Sequence, residues 1–365
     1  MVSADVLRPR WKCHWSPSCN VSRREWTSAA SCYTASRSLP PASAAQRRRV
    51  LSTTQRPLRF GVTVRDASGP DQLAAMAARA ESLGFDTFLC PDHMIGSARY
   101  LAMWPMLTVA ARATSRIRIG SLVACNDFRP PALLAKEAMT LDWISGGRLE
   151  LGLGAGHRAD EYERMGISFD EGRLRVERLE EAIRIVKGLC APEPVHFHGN
   201  HYEIRGLQGY PEPVQRPHPP ILVGGGARRV LELAGRQADI VSIIQRVLPG
   251  GHAHDWQDLE AAGTERQIEW LREAAESRFP DIELSTLVQA VVLTKNRRSA
   301  AQRLAPRYGG AVDRLLQSAL FLIGTLEQVC EQLLATRERF GISYYVVFGR
   351  DIDAFAPVIA RLQGS

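Results

Sequence analysis

Gly146-Gly147-Arg148-Leu149-Glu150-Leu151-Gly152-Leu153-Gly154-Ala155-Gly156-His157 is the stretch on which the reading of this 365-residue chain turns. A double glycine stops a helix. A short apolar strand runs over 149–153, and small residues then hand over at once to a titratable one. A buried parallel strand delivers a functional side chain to the rim of a sheet in this way, and small residues there let a flat ligand lie against the backbone. Alone, the stretch reads equally well as a glycine-rich turn with a surface histidine. A dinucleotide fingerprint, G-x-G-x-x-G opening a helix, fits poorly. The spacing here is G-x-G-x-G, position 157 is His, and the strand is the fourth of a series rather than the first.

Working outward, strands are predicted over 58–64, 87–91, 117–123, 149–153, 220–223, 240–244, 284–293 and 342–348. Helices fall between them, over 70–83, 104–113, 130–145, 171–187, 228–235, 264–277 and 326–340, with short helices within 299–319 and a last helix over 351–362. Proline at 130 or 131 suits a first helical turn. Gly146 suits a left-handed stop, and Thr325 with Gln328 suits a capping box. His196, His198 and His201 flank a predicted hairpin turn at Gly199-Asn200. They read as an exposed face rather than a metal site, because no carboxylate or Cys stands at ligand spacing. Eight strands alternating with helices over 57–365 is the count of an α/β (β/α)8 TIM barrel with insertion segments. A doubly wound sheet is the alternative and would use fewer units.

Residues 1–56 contain ten of the 46 Lys and Arg but two of the 39 Asp and Glu, leaving 36 and 37 for the rest. The remainder is therefore almost neutral, with no overall field to draw in nucleic acid. The basic head, rich in Ser, Ala, Arg and Pro, reads as a disordered or targeting extension, or as sequence upstream of a later start. No apolar run reaches membrane-spanning length. Seven scattered cysteines without a C-x-x-C predict a reducing, cytoplasmic setting.

In such a barrel, function sits at the carboxyl ends of the strands. Those positions hold Asp92-His93, Leu122-Val123, Gly154-Ala155-Gly156-His157 and Gly224-Gly225-Gly226. No hydrolase motif is among them. Three glycines before a helix expose N–H groups to an anion. Two histidines could hydrogen-bond a ring edge or move protons, an unperturbed imidazole titrating near pH 6.5.

The segments PDH (91–93), FRPPALLAKEAMTLDWISGGRLELGLGAG (128–156), FHGNHYEI (197–204), PPILVGGG (219–226) and GISYYVV (341–347) resemble the luciferase-like monooxygenase superfamily, in its coenzyme F420-dependent oxidoreductase branch. The resemblance implies a barrel with an insertion near strand 7 or after helix 4, and a flavin or deazaflavin at the carboxyl end. It implies a non-proline cis peptide at the end of strand 3, by position Leu122–Val123. Gly224, Gly225 and Gly226 would hold the cofactor phosphate. Leu122, Val123, Gly154, Ala155 and Gly156 would shelve the ring, and His93 and His157 would orient it or transfer protons. His157 stands where sugar-phosphate dehydrogenases of the superfamily have a glutamate, which argues for a different substrate.

Three functions are carried forward. The first is F420-dependent hydride transfer with a small organic substrate. The second is an FMN-dependent two-component monooxygenase, and the third a flavin-binding protein without turnover. A homodimer is compatible with each; no metal, nucleic acid or membrane partner is expected. Residues 1–56 are expected to be dispensable. A chain of residues 57–365 should keep the melting temperature and cofactor affinity of the full chain, measured by thermal unfolding and fluorescence titration; a large loss in either would place the head within the fold.

Overall fold

The computed structural model describes residues 56–96, 99–248, 251 and 254–363; the extension expected over 1–56 lies, apart from Arg56, outside them. Eight parallel strands among the described residues form the barrel wall: β1 (Arg59–Thr63), β2 (Thr87–Cys90), β3 (Arg118–Ser121), β4 (Leu149–Gly154), β5 (Ile221–Gly225), β6 (Ile240–Ile243), β7 (Glu283–Leu287) and β8 (Ile342–Phe348). Each pairs with its successor, and β8 returns to β1 with Phe60 opposite Tyr345, so the sheet is closed. Outside it lie α1 (Pro70–Ser82), α2 (Met103–Ala113), α3 (Pro131–Ser145), α4 (Gly172–Leu189), α5 (Arg228–Gln237), α6 (Ala261–Ala275), α7 (Leu326–Phe340) and α8 (Ile352–Leu362).

Strand alternation creates two cores. Phe60, Val62, Phe88, Ile119, Leu149, Leu151, Ile221, Val223, Tyr345 and Val347 face the helices in one continuous apolar layer. Leu89, Leu222, Ile240, Tyr344 and Val346 fill the interior, with Leu122, Val123 and Leu287 packed on them. The helix ends follow local chemistry. Gly146 and Gly341 are left-handed caps, and Thr325 and Gln328 form the reciprocal capping box.

The predicted strand over 284–293 is two strands. β7 ends at Leu287. Ala290–Leu293 leaves the barrel and pairs in parallel with Phe321–Gly324, a strand that the sequence reading passed over. Ten consecutive residues would exceed every strand of this barrel wall, the longest of which, β8, has seven. The apolar run that continues is buried instead by a small satellite core with Leu259, Tyr308, Leu315 and Phe321. This insertion follows β7, and the predicted hairpin, Val195–His198 with Glu203–Leu207, follows α4. On that hairpin, His198 faces Glu203 at 3.7 Å, while His201 faces Glu177 at 3.5 Å. Among the described residues no helix is long and apolar enough to cross a membrane, and no group of His, Cys, Asp and Glu stands at metal-binding spacing. Cys90, Cys125, Cys190 and Cys330 are buried free thiols.

At the amino end the interior is charged. Arg59 pairs with Glu150 and, at 2.6 Å, with Glu283; Arg118 Nε reaches Glu150 at 2.7 Å. Tyr344 donates its hydroxyl to Glu150 at 3.3 Å, and the Arg59 guanidinium lies 4.5 Å above the Tyr344 ring. Burial opposes the charge on Arg59, yet Glu150, Tyr344 and Glu283 overcome it and hold the guanidinium firmly protonated. Glu150→Ala would leave two half-buried guanidiniums short of their carboxylate. The expected loss of unfolding free energy is about 3–5 kcal/mol, read from urea denaturation. Glu150→Gln should fall between Ala and wild type; an Ala variant as stable as wild type would remove the network from the stability of the barrel.

Candidate active site

The turn after β2 carries Asp92 and His93. Asp92 is held by Arg129 at 2.7 Å and accepts the Cys125 N–H at 3.1 Å, so it fixes the β2 and β3 exits to one another and is not a free carboxylate. Asp127 is similarly engaged by Arg178 at 2.8 Å and by the Tyr162 hydroxyl at 3.1 Å. His93 stands apart from this clamp. Its Nδ1 meets the two Glu161 oxygens at 3.1 and 3.0 Å. The same carboxylate accepts the N–H groups of Met94 and Ile95 at 3.1 and 3.2 Å.

Glu161 comes from a short helix, Ala159–Met165, where the sequence suggested loop. Burial opposes its ionisation, but the hydrogen bond and charge of His93, the Ile95 N–H and nearby Arg158 outweigh burial and hold its pKa below the usual carboxylate range. An ionised Glu161 keeps the His93 proton on Nδ1 and leaves Nε2 as the acceptor. Glu161 lies four residues beyond His157, in the acidic first turn of its helix. That acid-rich turn after the glycines was the available signal.

His157 is brought to His93 as expected, the ring centroids 5.5 Å apart and edge to face. On its other side is His254 at 6.5 Å, which stacks towards Trp256 at 5.7 Å. Burial, followed by the neighbouring His93 and His254, pushes the His157 pKa down to about 4. This differs from the near-neutral titration expected from sequence, because the ring is held among other imidazoles in a half-buried site. His157 is neutral at physiological pH.

The Leu122–Val123 peptide is cis, at the position expected. Val123 occupies the room left by three glycines: a Cβ on Gly154 would lie 2.6 Å from its Cγ2, and on Gly152 or Gly224 3.2 Å from its Cγ1. Gly152 would also strike the Ser121 carbonyl. Gly156, with φ +73°, has the Tyr162 hydroxyl where a side chain would be. The small residues of β4 therefore admit protein atoms first. Leu122, Val123 and Ala155 remain partly exposed and can offer an apolar shelf, with Gly154 buried beneath.

The β5 glycines have packing reasons of their own. A Cβ on Gly225 would lie 2.5 Å from Val230, and one on Gly226 would strike the Ile244 carbonyl. Gln267 donates to the carbonyls of Gly226 and Ile244 at 3.0 and 2.9 Å and ties the two strand exits together. Helix α5 begins directly after them without a side-chain cap. On the neighbouring β6 and the segment after it, Ser242 Oγ, Gln245 Nε2 and His254 Nδ1 are buried with no hydrogen-bond partner among the described residues. Buried polar groups rarely go unpaired. Three on β6 and the segment after it, with an uncapped helix and an apolar shelf on the same rim, fit a polar cofactor with a flat ring. Sequence reading missed all three, since a lone Ser, Gln or His after a strand carries no motif.

Similarity to known proteins follows the same outline. Residues 54–319 match the luciferase-like monooxygenase family. An F420-dependent glucose-6-phosphate dehydrogenase of Amycolatopsis mediterranei (strain U-32) is 32% identical over 178 residues, 47% of this chain and 52% of the relative. The chain spans about half the length of the curated relatives it matches. Among solved structures, an F420-dependent secondary alcohol dehydrogenase in complex with an F420-acetone adduct aligns over 84% of this chain and 98% of its own, with TM-score 0.67 and 19% identity. The coenzyme F420-dependent tetrahydromethanopterin reductase of Methanopyrus kandleri aligns over 84% and 100%, with TM-score 0.67 and 18% identity. With a match over most of its length, this chain belongs to the luciferase-like monooxygenase family.

Proposed function

We propose that this protein is a coenzyme F420-dependent oxidoreductase that moves hydride between the deazaflavin and a small organic substrate at the carboxyl end of the barrel. The observation that carries the reading is the His93–Glu161 pair on that rim, next to the Leu122–Val123 shelf. The names of the curated relatives support the choice of cofactor, and the unpartnered polar atoms at the β5 and β6 exits support its placement. Leu122, Val123 and Ala155 would back the ring. Gly224 to Gly226 and the first turn of α5 would face its phosphate. When bound, the deazaflavin supplies the hydride acceptor or donor.

The chain itself supplies proton handling. For oxidation of an alcohol, His93 Nε2 takes the hydroxyl proton as the carbinol becomes a carbonyl; for reduction it returns that proton. Glu161 holds the ring in the required tautomer and balances the imidazolium while it exists. Neutral His157 adds a hydrogen-bonding edge without a competing charge 5.5 Å from His93. Proton transfer thus falls to His93, and His157 orients.

His93→Ala should lower kcat about 10²- to 10⁴-fold with cofactor affinity retained, and Glu161→Gln should lower kcat by a smaller factor. Stopped-flow absorbance of the deazaflavin, with a secondary alcohol panel as substrate, reads both. Full turnover in His93→Ala would remove it from the chemistry, and a flavin rather than a deazaflavin copurifying from a host that makes both would overturn the cofactor reading.

His157 has its own signature. Its folded pKa of about 4 lies below the ordinary imidazole value of 6.5, because burial and the neighbouring imidazoles disfavour the charged ring. Between these values the unfolded chain binds a proton that the folded protein refuses, so this group's contribution to stability falls as pH drops through that window. Chemical denaturation from pH 7 to 4 should show His157→Gln losing less stability than wild type. Parallel curves would show that the ring titrates normally.

A further inference from the structure

A cavity of about 360 Å³ opens at the carboxyl ends of β1 and β8, among Val64, Arg65, Met76, Arg307, Phe348 and Arg350. None of these residues belongs to the histidine pair, the ring shelf or the glycine exits. Its floor is apolar, made by Val64, Met76 and Phe348. Its polar wall is three guanidiniums and a single carboxylate, Asp66, a surplus of two positive charges.

The arginines are arranged unusually for this protein. Elsewhere around the rim, arginines are clamped by acids: Arg129 by Asp92, Arg178 by Asp127 and Asp170, Arg246 by Asp255 and Asp258. Among the described residues, Arg65 and Arg307 have no carboxylate within ion-pair distance. Arg350 has one, Asp351, at 3.6 Å. Instead, Arg65 and Arg350 both stack on the Phe348 ring, at 5.0 and 4.6 Å from its centroid. Stacking orients the guanidinium planes and leaves their N–H edges free. Arg65 spends one N–H on a long, 3.4 Å contact with the Tyr100 hydroxyl, and Arg350 one on the Gln289 carbonyl at 3.0 Å. Arg307 lies 5.6 Å from the Tyr308 ring and is exposed. Planar forks with unspent donors match a carboxylate or a phosphate.

We propose that this cavity binds the anionic end of an organic substrate, a carboxylate or phosphate ester whose carbon skeleton lies on the Val64–Met76–Phe348 floor. The volume falls within the range of small-molecule pockets, roughly 300–1,000 Å³, and exceeds what a bare inorganic ion needs. Location ties the cavity to the chemistry. β1 pairs with β2, which delivers His93, and Tyr100 joins the two places: its hydroxyl touches Arg65 and its ring lies 5.2 Å from His93. The β5 glycines read as the cofactor's phosphate site lie on the far side of the closed wall, so the charge surplus at β1 and β8 is left for the substrate. The link to turnover rests on the oxidoreductase reading above; the binding site does not.

The test is calorimetric titration of the full chain with a hexose phosphate, a hydroxycarboxylate, the unphosphorylated hexose and inorganic phosphate, at low and high salt. At least one of the two organic anions should bind, more weakly at high salt, and more tightly than either the neutral sugar or inorganic phosphate. Arg307→Glu and Arg65→Ala should each weaken that binding at least tenfold while melting at the wild-type temperature. Deazaflavin affinity, followed by fluorescence, should not change in Arg307→Glu. The proposal is overturned if neither organic anion binds, if inorganic phosphate binds equally well, or if the arginine variants bind as wild type does. It is overturned too if Arg307→Glu weakens the deazaflavin instead, since the charge would then serve the cofactor. If the wild-type chain takes the organic anion in an arginine-dependent way but no deazaflavin, the cavity stands and the oxidoreductase reading falls.

Discussion

Glu150 is a carboxylate almost wholly removed from water inside the barrel, and the strands assemble around the need to compensate it. Arg59 of β1 and Arg118 of β3 supply the charge, Tyr344 of β8 adds a hydrogen bond, and Glu283 of β7 takes the remaining reach of Arg59. Five strands are thereby tied at one end. Such a network is costly to desolvate and gains little over a well-packed apolar plug, but once formed it is costly to break. Its members fit only when every strand is in register, because each is the first, second or third residue of its strand. The amino end is thus closed by charge.

At the carboxyl end the governing constraint is steric. Val123 fills the volume left by Gly152, Gly154 and Gly224. Two strands, β4 and β5, therefore converge on one side chain from the β3 exit. A glycine pattern that invites a ligand reading is in the first instance the imprint of neighbouring protein atoms. The shelf is what those atoms present outward.

Chemical asymmetry arises on the same rim. His93 and His157 are alike in sequence and adjacent in space, yet Glu161 engages only His93. His157 is left among imidazoles and shifted to about 4. A single buried carboxylate thus makes the two imidazoles electrostatically unlike. Asp92 and Asp127, the acids after β2 and β3, are spent on arginines that brace the strand exits.

The sequence by itself determined the alternation of strands and helices, the helix stops at Gly146 and Gly341, the capping box at Thr325 and the cluster of strand-end residues that points to the family. Each of these is a local property: periodicity, backbone freedom or a cap reads within a few residues. It also brought His93 and His157 to one rim, because strand order in a parallel barrel follows chain order. Only the tertiary structure decided that 284–293 divides at Leu287, since that depends on which surface is left to bury the second half. Likewise, Glu161 chooses His93, Ser242, Gln245 and His254 remain unpaired at the β5 and β6 exits, and Arg65, Arg307 and Arg350 share one cavity although up to 285 positions separate them in the chain. Burial and partnership set the charge and availability of such groups, and both are made by residues distant in sequence, where periodicity carries no information.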